Sequence, residues 1–177
     1  MAHYETERLI LKTEFEHSWY KILDFYEKNR SHLEPYELTR PSDFYTPTYQ
    51  LKLLSAEAQL TKSHSYLRLW LYKKEALHDP IGTICFSDIF QNSARLGYKL
   101  DKDHLHCGYC YEACQKGLLI MKQEYHLHQI LACVAKDNLP SLRLLQRLHF
   151  TYHKQESTPV EINHTLQPML LYKKQLV

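Results

Sequence analysis

Residues 104–114 read HLHCGYCYEAC and hold two histidines and three cysteines. Side chains of these types bind metals, exchange disulfides or, where a thiolate is stabilised, act as nucleophiles. A zinc site would use Cys107, Cys110 and Cys114 with His104 or His106. Cys107 and Cys110 have the C-x2-C spacing of one zinc knuckle, but no second C-x2-C or H-x3-H follows, and only Leu127 separates His126 from His128. If a helix starts near Tyr111, Cys110 and Cys114 share a face at i, i+4 while Cys107 stays in the loop, a strained set for one ion. No metal is expected. A thioredoxin-like pair needs a βαβ setting, and the strands just upstream form a meander instead. The third use is activation of Cys107 or Cys110 by a helix N-terminus, which lowers a thiol's pKa.

What positions this stretch can be read from hydrophobic period. TERLILKT is short and strand-like, with Leu9 and Leu11 on one face and Ile10 on the other. FEHSWYKILDFYEKN and TYQLKLLSAEAQLTKS have helical spacing, and the three prolines of RSHLEPYELTRPSDFYTP predict a loop with at most one helical turn between them. SYLRLWLYKK alternates strictly, with Leu67, Leu69 and Leu71 opposite Tyr66, Arg68, Trp70 and Tyr72. IGTICFSDI and RLGYKLD follow after short connections, so three strands form an antiparallel meander. YEACQKGLLIMKQEY is a helix, and QILACVA is a strand buried on both faces. NLPSLRLLQRL is a helix capped by Asn138 with Pro140 in its first turn, and FTYHKQE and PMLLYKKQ are two closing strands. This order predicts one α+β domain over residues 1–177, with about seven strands in a mixed, mostly antiparallel sheet and about four helices.

Composition narrows the function classes. Of 177 residues, 44% are hydrophobic and 24% charged, and net charge is +2, so direct nucleic-acid binding is not expected. No apolar run is long enough for a signal peptide or a membrane span. Five cysteines, an odd number, suit reduced thiols and a cytoplasmic protein.

Two stretches carry a resemblance. LGYKLDKDHLHCGYCYEA is similar to a strand ending L-G-Y-x-L/I followed by a loop W-G-K-G-Y-A-T-E-A. KDNLPSLRLLQRLHF matches N-x-x-S-I-R-V-L-E-K-L-G-F at Asn138, Ser141, Arg143, Leu145, Leu148 and Phe150. With ETERLILK and NRSHLEPYE near the start, the whole chain resembles the GNAT superfamily of acetyl-CoA-dependent N-acetyltransferases. Within that superfamily it is closest to the RimJ/RimL-type branch that acetylates N-termini of ribosomal proteins.

The resemblance implies acetyl-CoA as co-substrate and its pyrophosphate on the loop, where backbone N–H groups meet a helix N-terminus. The superfamily consensus Q/R-x-x-G-x-G/A falls on residues 105–110: Gly108 remains, while His106 and Cys110 replace small residues. The cofactor-binding residues implied are Lys99, Leu100, His106, Cys107, Gly108, Tyr109, Cys110, Tyr111, Asn138 and Ser141. The oxyanion donor is a backbone N–H near Lys99 or Leu100, and splaying of GYKL from QILACVA admits the pantetheine arm.

The mechanism implied is direct attack of an amine on the thioester. Many members place a tyrosine acid where this chain has Leu145, so Ser141, near the sulfur in the branch, is the candidate donor. Arg95 stands where many carry a glutamate base, leaving Glu112 or Asp88 as base candidates, ahead of Glu34 and Glu37. A weak base suits an α-amine, about 15% neutral at pH 7, better than a lysine, about 0.04% neutral. The expected partner is a ribosomal or other protein N-terminus, or a small amine, approaching past the loop from Arg30 to Pro47. Dimerisation is common in the family. The alternative is a catalytically degenerate coenzyme A-binding module, which His106, Leu145 and Arg95 favour.

Overall fold

Leu67, Leu69 and Leu71 alternate with Trp70 and Tyr72, and both sets are buried in the computed structural model, which describes residues 2–176. The leucines join one core and the aromatics another, because the sheet containing this strand is covered on both faces. Leu9 and Leu11 fall into the first core and Ile10 into the second, as their alternation predicts.

The elements in chain order are β1 (His3–Glu5), β2 (Leu9–Lys12), α1 (Trp19–Lys28), the short α2 (Arg30–Leu33) and α3 (Pro47–Lys62). The meander follows as β3 (Leu67–Lys73), β4 (Gly82–Phe90) and β5 (Ser93–Leu100). Then come α4 (Tyr109–Gln123), β6 (Gln129–Ala135), α5 (Leu139–Arg147), β7 (Thr151–Gln155), β8 (Val160–Ile162), β9 (Thr165–Gln167) and β10 (Met169–Gln175). One sheet of eight strands runs β1-β2-β3-β4-β5-β6-β10-β7, and β8-β9 is a separate ribbon. Residues of α4 and α5 fill the leucine core on one face. Residues of α1 and α3, with Leu33 and Phe44, fill the aromatic core on the other.

All neighbours in the large sheet are antiparallel except β5 and β6, which are parallel and paired only over Ser93–Arg95 and Gln129–Leu131. Beyond Arg95, β5 stays on β4 as far as Leu100, while β6 stays on β10 as far as Ala135. The two central strands therefore diverge, and their facing backbone groups form no ladder there.

The mixed, largely antiparallel sheet and the order of the main elements agree with expectation, but the strand count is higher. β1 pairs with β2 across the Glu5–Leu9 turn, although HYE has too few apolar residues to show a period. The ribbon turns through Asn163 and His164, with φ of 44° and 61°. Such a two-residue turn usually announces itself by Asn-Gly, and here no glycine marks it.

Histidine takes glycine's place repeatedly. Among the described residues, eight non-glycine positions have positive φ, and five are histidines: His64, His106, His126, His149 and His164. At the end of α5, Phe150 N–H donates to Leu145 C=O (2.9 Å) and His149 N–H to Gln146 C=O (3.0 Å). At the end of α3, Ser65 donates to Leu60 (3.0 Å) and His64 to Thr61 (3.1 Å). Both are Schellman closures with histidine at the left-handed position.

Candidate active site

The HLHCGYCYEAC stretch links β5 to α4 and is held at both ends. At its start, the buried Asn29 at the end of α1 accepts from Lys102 N–H (2.9 Å). Lys28 Nζ pairs with Asp101 (2.7 Å) and Asp103 (2.8 Å), and Asp101 accepts from Asp103 N–H (2.8 Å). Burial opposes ionisation of Asp101, but these partners hold its carboxyl below the usual range. At its end, Gly108 has φ +80° as N-cap of α4, and no side chain caps the helix. Helix geometry leaves the first N–H groups, from Tyr109 onward, without intrahelical partners. His106 has φ 61°; among non-glycine residues, histidine is one of the commoner occupants of that region. The departure from glycine thus keeps the loop's backbone path.

In front of this helix start lies a cleft of about 420 Å³, lined by Glu7, Arg8, His106, Cys107, Gly108, Tyr111, Glu112, Gln115 and Arg147. Arg147 Cζ lies 4.0 Å from the centroid of the Tyr111 ring, and among the described residues no carboxylate pairs with it. Arg8 faces Tyr109 at 4.5 Å and donates to the Cys107 carbonyl (2.9 Å). Uncapped N–H groups, two arginines and a histidine fit a polyanion such as a pyrophosphate. Arg8 and Arg147 carry no mark in the sequence that separates them from other surface arginines; tertiary packing brings them to the loop.

The thiols lie on different sides of the chain. Cys107 is exposed, Cys110 is half-buried, and Cys114 is fully buried in the leucine core with its thiol against Cys110. Burial pushes the Cys114 thiol well up. Among the described residues no three His, Cys, Asp or Glu side chains gather as metal ligands do.

The gap between β5 and β6 is the second part of the site. Asn92 C=O accepts from Gln129 N–H on the β6 side (3.1 Å), and Asp101 N–H donates to Ile81 next to β4 (2.8 Å). Backbone groups alternate in direction along a strand, so even-numbered residues of β5 face β6 and odd-numbered ones face β4. The N–H groups of Tyr98 and Leu100 therefore point into the gap, whereas that of Lys99 points to β4. Of the two expected backbone donors, Leu100 opens into the gap together with Tyr98, and Lys99 faces β4. The half-buried Tyr98 places its hydroxyl 2.6 Å from Ser141 Oγ and 3.3 Å from the Ser141 carbonyl. Burial pushes its phenol far up, so it stays protonated. Asn138 Oδ1 accepts from Ser141 N–H (3.1 Å), fixing the first turn of α5 at the edge of the gap. Leu145 is fully buried in the core.

The Lys99 side chain serves the opposite face of the sheet. Its ammonium lies 2.6 Å from Glu37 Oε1 and over the Tyr26 ring. Glu37 also pairs with Arg40, a nearly buried guanidinium among Tyr26, Phe44 and Tyr45 at 4.8, 4.3 and 5.3 Å. Burial alone would raise the Glu37 carboxyl, but Lys99 and Arg40 more than reverse it and hold it below the usual range. Glu34 accepts from Arg30 (3.0 Å) and Tyr45 (2.9 Å), and burial with Glu34 pushes the Tyr45 phenol up to about 12. The 34–46 loop docks on the ribbon through the Leu38–Ile162 bridge and Asn163 N–H to Glu37 C=O (3.2 Å). Between them a cavity of about 150 Å³ is lined by Arg30, Glu34, Thr39, Arg40, Tyr45 and His164, among others.

Neither base candidate sits at the gap with a free carboxylate. Glu112 accepts from Thr6 Oγ1 (2.5 Å), Arg8 N–H (2.8 Å) and Arg8 Nε (2.7 Å), and pairs with Arg8 Nη2 (2.7 Å). Burial opposes ionisation, but these donors hold the carboxyl below the usual range. Its lone pairs are engaged in docking α4 on the β1–β2 turn. Asp88 has φ 51°, is exposed at an irregularity of β4 and pairs with Arg95 (3.2 Å). That pair marks the closed end of the gap, five residues or about 17 Å of strand from Leu100.

Known proteins resemble this chain in sequence and in fold. The family description "Acetyltransferase (GNAT) domain" matches residues 25–151. The [Ribosomal protein uS5]-alanine N-acetyltransferase of Escherichia coli (strain K12) is 26% identical over 148 residues, 82% of this chain and 76% of that one. A Bacillus subtilis (strain 168) protein named "Probable N-acetyltransferase YjcK" is 30% identical over 138 residues, 75% and 74% of the two chains. The crystal structure of a ribosomal-protein-S5-alanine acetyltransferase from Vibrio fischeri superposes with TM-score 0.92 at 24% identity, covering 99% of this chain and 97% of that one. A RimL ribosomal L7/L12 α-N-protein acetyltransferase solved with coenzyme A gives 0.87 at 17% identity, over 96% and 95%. The phosphate-type loop, the divergent central strands and the family match together establish that this chain belongs to the GNAT acetyltransferase family.

Proposed function

We propose that the chain transfers the acetyl group of acetyl-CoA to a primary amine, the α-amine of a protein N-terminus being the first candidate acceptor. The observation that carries this is the gap between β5 and β6, opening beside an uncapped helix start with Arg8 and Arg147 at its cleft. The pyrophosphate lies on the N–H groups from Gly108 to Tyr111, with His106, Arg8 and Arg147 around it. The side chains of Tyr109 and Cys110 shape the loop from beneath. The pantetheine arm passes between β5 and β6, and Tyr98 or Leu100 N–H holds the carbonyl oxygen. The amine approaches from the face of Lys99, Glu37 and the 34–46 loop. With Glu112 engaged and Asp88 remote, no side chain acts as a strong base, and the proton leaves through water. That suits an α-amine, and relatives named as ribosomal-protein-alanine acetyltransferases support a protein acceptor.

A coenzyme A-binding module without transfer is the second reading, favoured by the buried Leu145 and by Arg95 paired with Asp88. Thermal unfolding with acetyl-CoA, then thiol release with an alanine-initiated peptide, an Nα-blocked lysine peptide and a small amine, tests both. At 100 times its Kd, acetyl-CoA adds about 2.7 kcal/mol of stability. Release with the alanine peptide is expected. Stabilisation without release from any amine selects the second reading, and no stabilisation overturns both.

A further inference from the structure

We propose that Tyr98 is a positioning residue that orients the Ser141 hydroxyl toward the leaving sulfur. The two form a hydroxyl pair bridging the β5–β6 gap, and this pair does the work of the tyrosine acid absent at Leu145. This rests on the acetyl-transfer reading above. Tyr98 lies three residues beyond the last β5–β6 pair, on the strand that leaves β6. Ser141 stands in the first turn of the helix that follows β6. Their oxygens are 2.6 Å apart, and the Tyr98 hydroxyl also lies 3.3 Å from the Ser141 carbonyl. The tyrosine is half-buried beside the first turn of α5, so its hydrogen bond is partly shielded from bulk water.

The phenol hydrogen can go to Ser141 Oγ at 2.6 Å or to the Ser141 carbonyl at 3.3 Å, and we assign it to the shorter contact. Each hydroxyl carries one hydrogen. If Tyr98 donates to Ser141, the serine hydrogen is left to point outward into the gap. One turn further along α5, Leu145 is fully buried and carries no polar atom on its side chain.

The proton balance limits what the pair does. As the amine nitrogen bonds to the carbonyl carbon and the C–S bond breaks, the sulfur takes the electron pair of that bond. A thiol titrates below a phenol, and burial raises the Tyr98 phenol further, so Tyr98 does not surrender its proton to the sulfur. Ser141 keeps its proton as well and donates a hydrogen bond to the forming thiolate. The proton that finally reaches the sulfur is the one lost by the acceptor nitrogen, delivered through water. The pair stabilises charge where it develops, as preorganised donors do.

The direct readout is the ionisation of the thiol of bound coenzyme A, followed by ultraviolet thiolate absorbance against pH in wild type, Tyr98→Phe and Ser141→Ala. Expected is an acidity constant about tenfold larger in wild type than in either variant, the scale of one hydrogen bond to a charged group. Thermal unfolding of the free variants, cooperative as in wild type, shows that they fold. In turnover with an alanine-initiated peptide, the Tyr98→Phe defect should shrink with acetyl thioesters of more acidic thiols. The double variant should be no worse than Ser141→Ala alone. A merely structural tie moves neither the thiol ionisation nor the leaving-group dependence. Coenzyme A bound with an ionisation unchanged in Tyr98→Phe overturns the pair and leaves acetyl transfer standing. Wild type that fails to bind coenzyme A overturns both.

Discussion

Three groups donate to or pair with the Glu112 carboxylate, and that fixes its role more firmly than its place in the first turn of α4. Glu112→Gln should cost about 1–2 kcal/mol of stability by loosening the α4 start from Arg8 and Thr6. It should raise the KM for acetyl-CoA and leave kcat nearly unchanged; a kcat collapse with unchanged KM would restore Glu112 as the base. Glu37 gives the molecule an acid limb. Its carboxyl is held below the usual range against the effect of burial by Lys99 and Arg40. A depressed carboxyl contributes stability that is full above the unfolded value of about 4.3 and lost as pH falls through the folded value. The melting temperature of wild type should therefore fall more steeply below about pH 4.3 than that of Glu37→Gln, a difference that scanning calorimetry across pH resolves. Neither role was legible in sequence. Glu112 and Glu37 are acids in a helix turn and a polar loop, and Arg8 and Lys99, which pair with them, are distant in the chain.

At the scale of elements, the chain closes its helices with histidine where its relatives' pattern has glycine. His149 occupies the glycine of the L-G-F pattern with φ 62°, a conformation that costs a residue with a Cβ about 1 kcal/mol or more. His149→Gly should raise stability by about 1 kcal/mol, shifting the melting temperature by about 2–4 °C, with acetyl-CoA affinity unchanged. A fall in stability would mean that the imidazole makes contacts worth more than the strain. The same habit explains what the sequence hid. With four glycines in the chain, the Asn163–His164 turn and the ribbon it joins lack the usual marker. The main helices and strands were legible, because periods of 3.6 and 2 record which faces are buried. NLPSLRLLQRL shows its cap, its proline and its apolar stripe directly, and the structure begins α5 at Leu139.

On the scale of the whole molecule, the gap has two entrances, one on each face of the sheet, and they should fail independently. Arg147→Ala removes a cation from the cleft in front of α4 and should weaken coenzyme A binding about tenfold with little effect on the acceptor KM. Arg40→Ala frees the 34–46 loop from its aromatic box and should raise the acceptor KM while leaving coenzyme A affinity alone. Calorimetric titration with coenzyme A and initial rates against acceptor peptide separate the two. A single variant that damages both equally would show that the faces are coupled through β5. The sequence by itself determined the order of the main elements and the two motifs that place Gly108 and Ser141, because each is a local pattern. Tertiary structure alone decided that β5 leaves β6 at Arg95, which backbone N–H groups are thereby freed, and which residues meet across the gap. Strand divergence and the meeting of Tyr98 with Ser141 depend on how two strands and a helix pack, and no local run of residues records that.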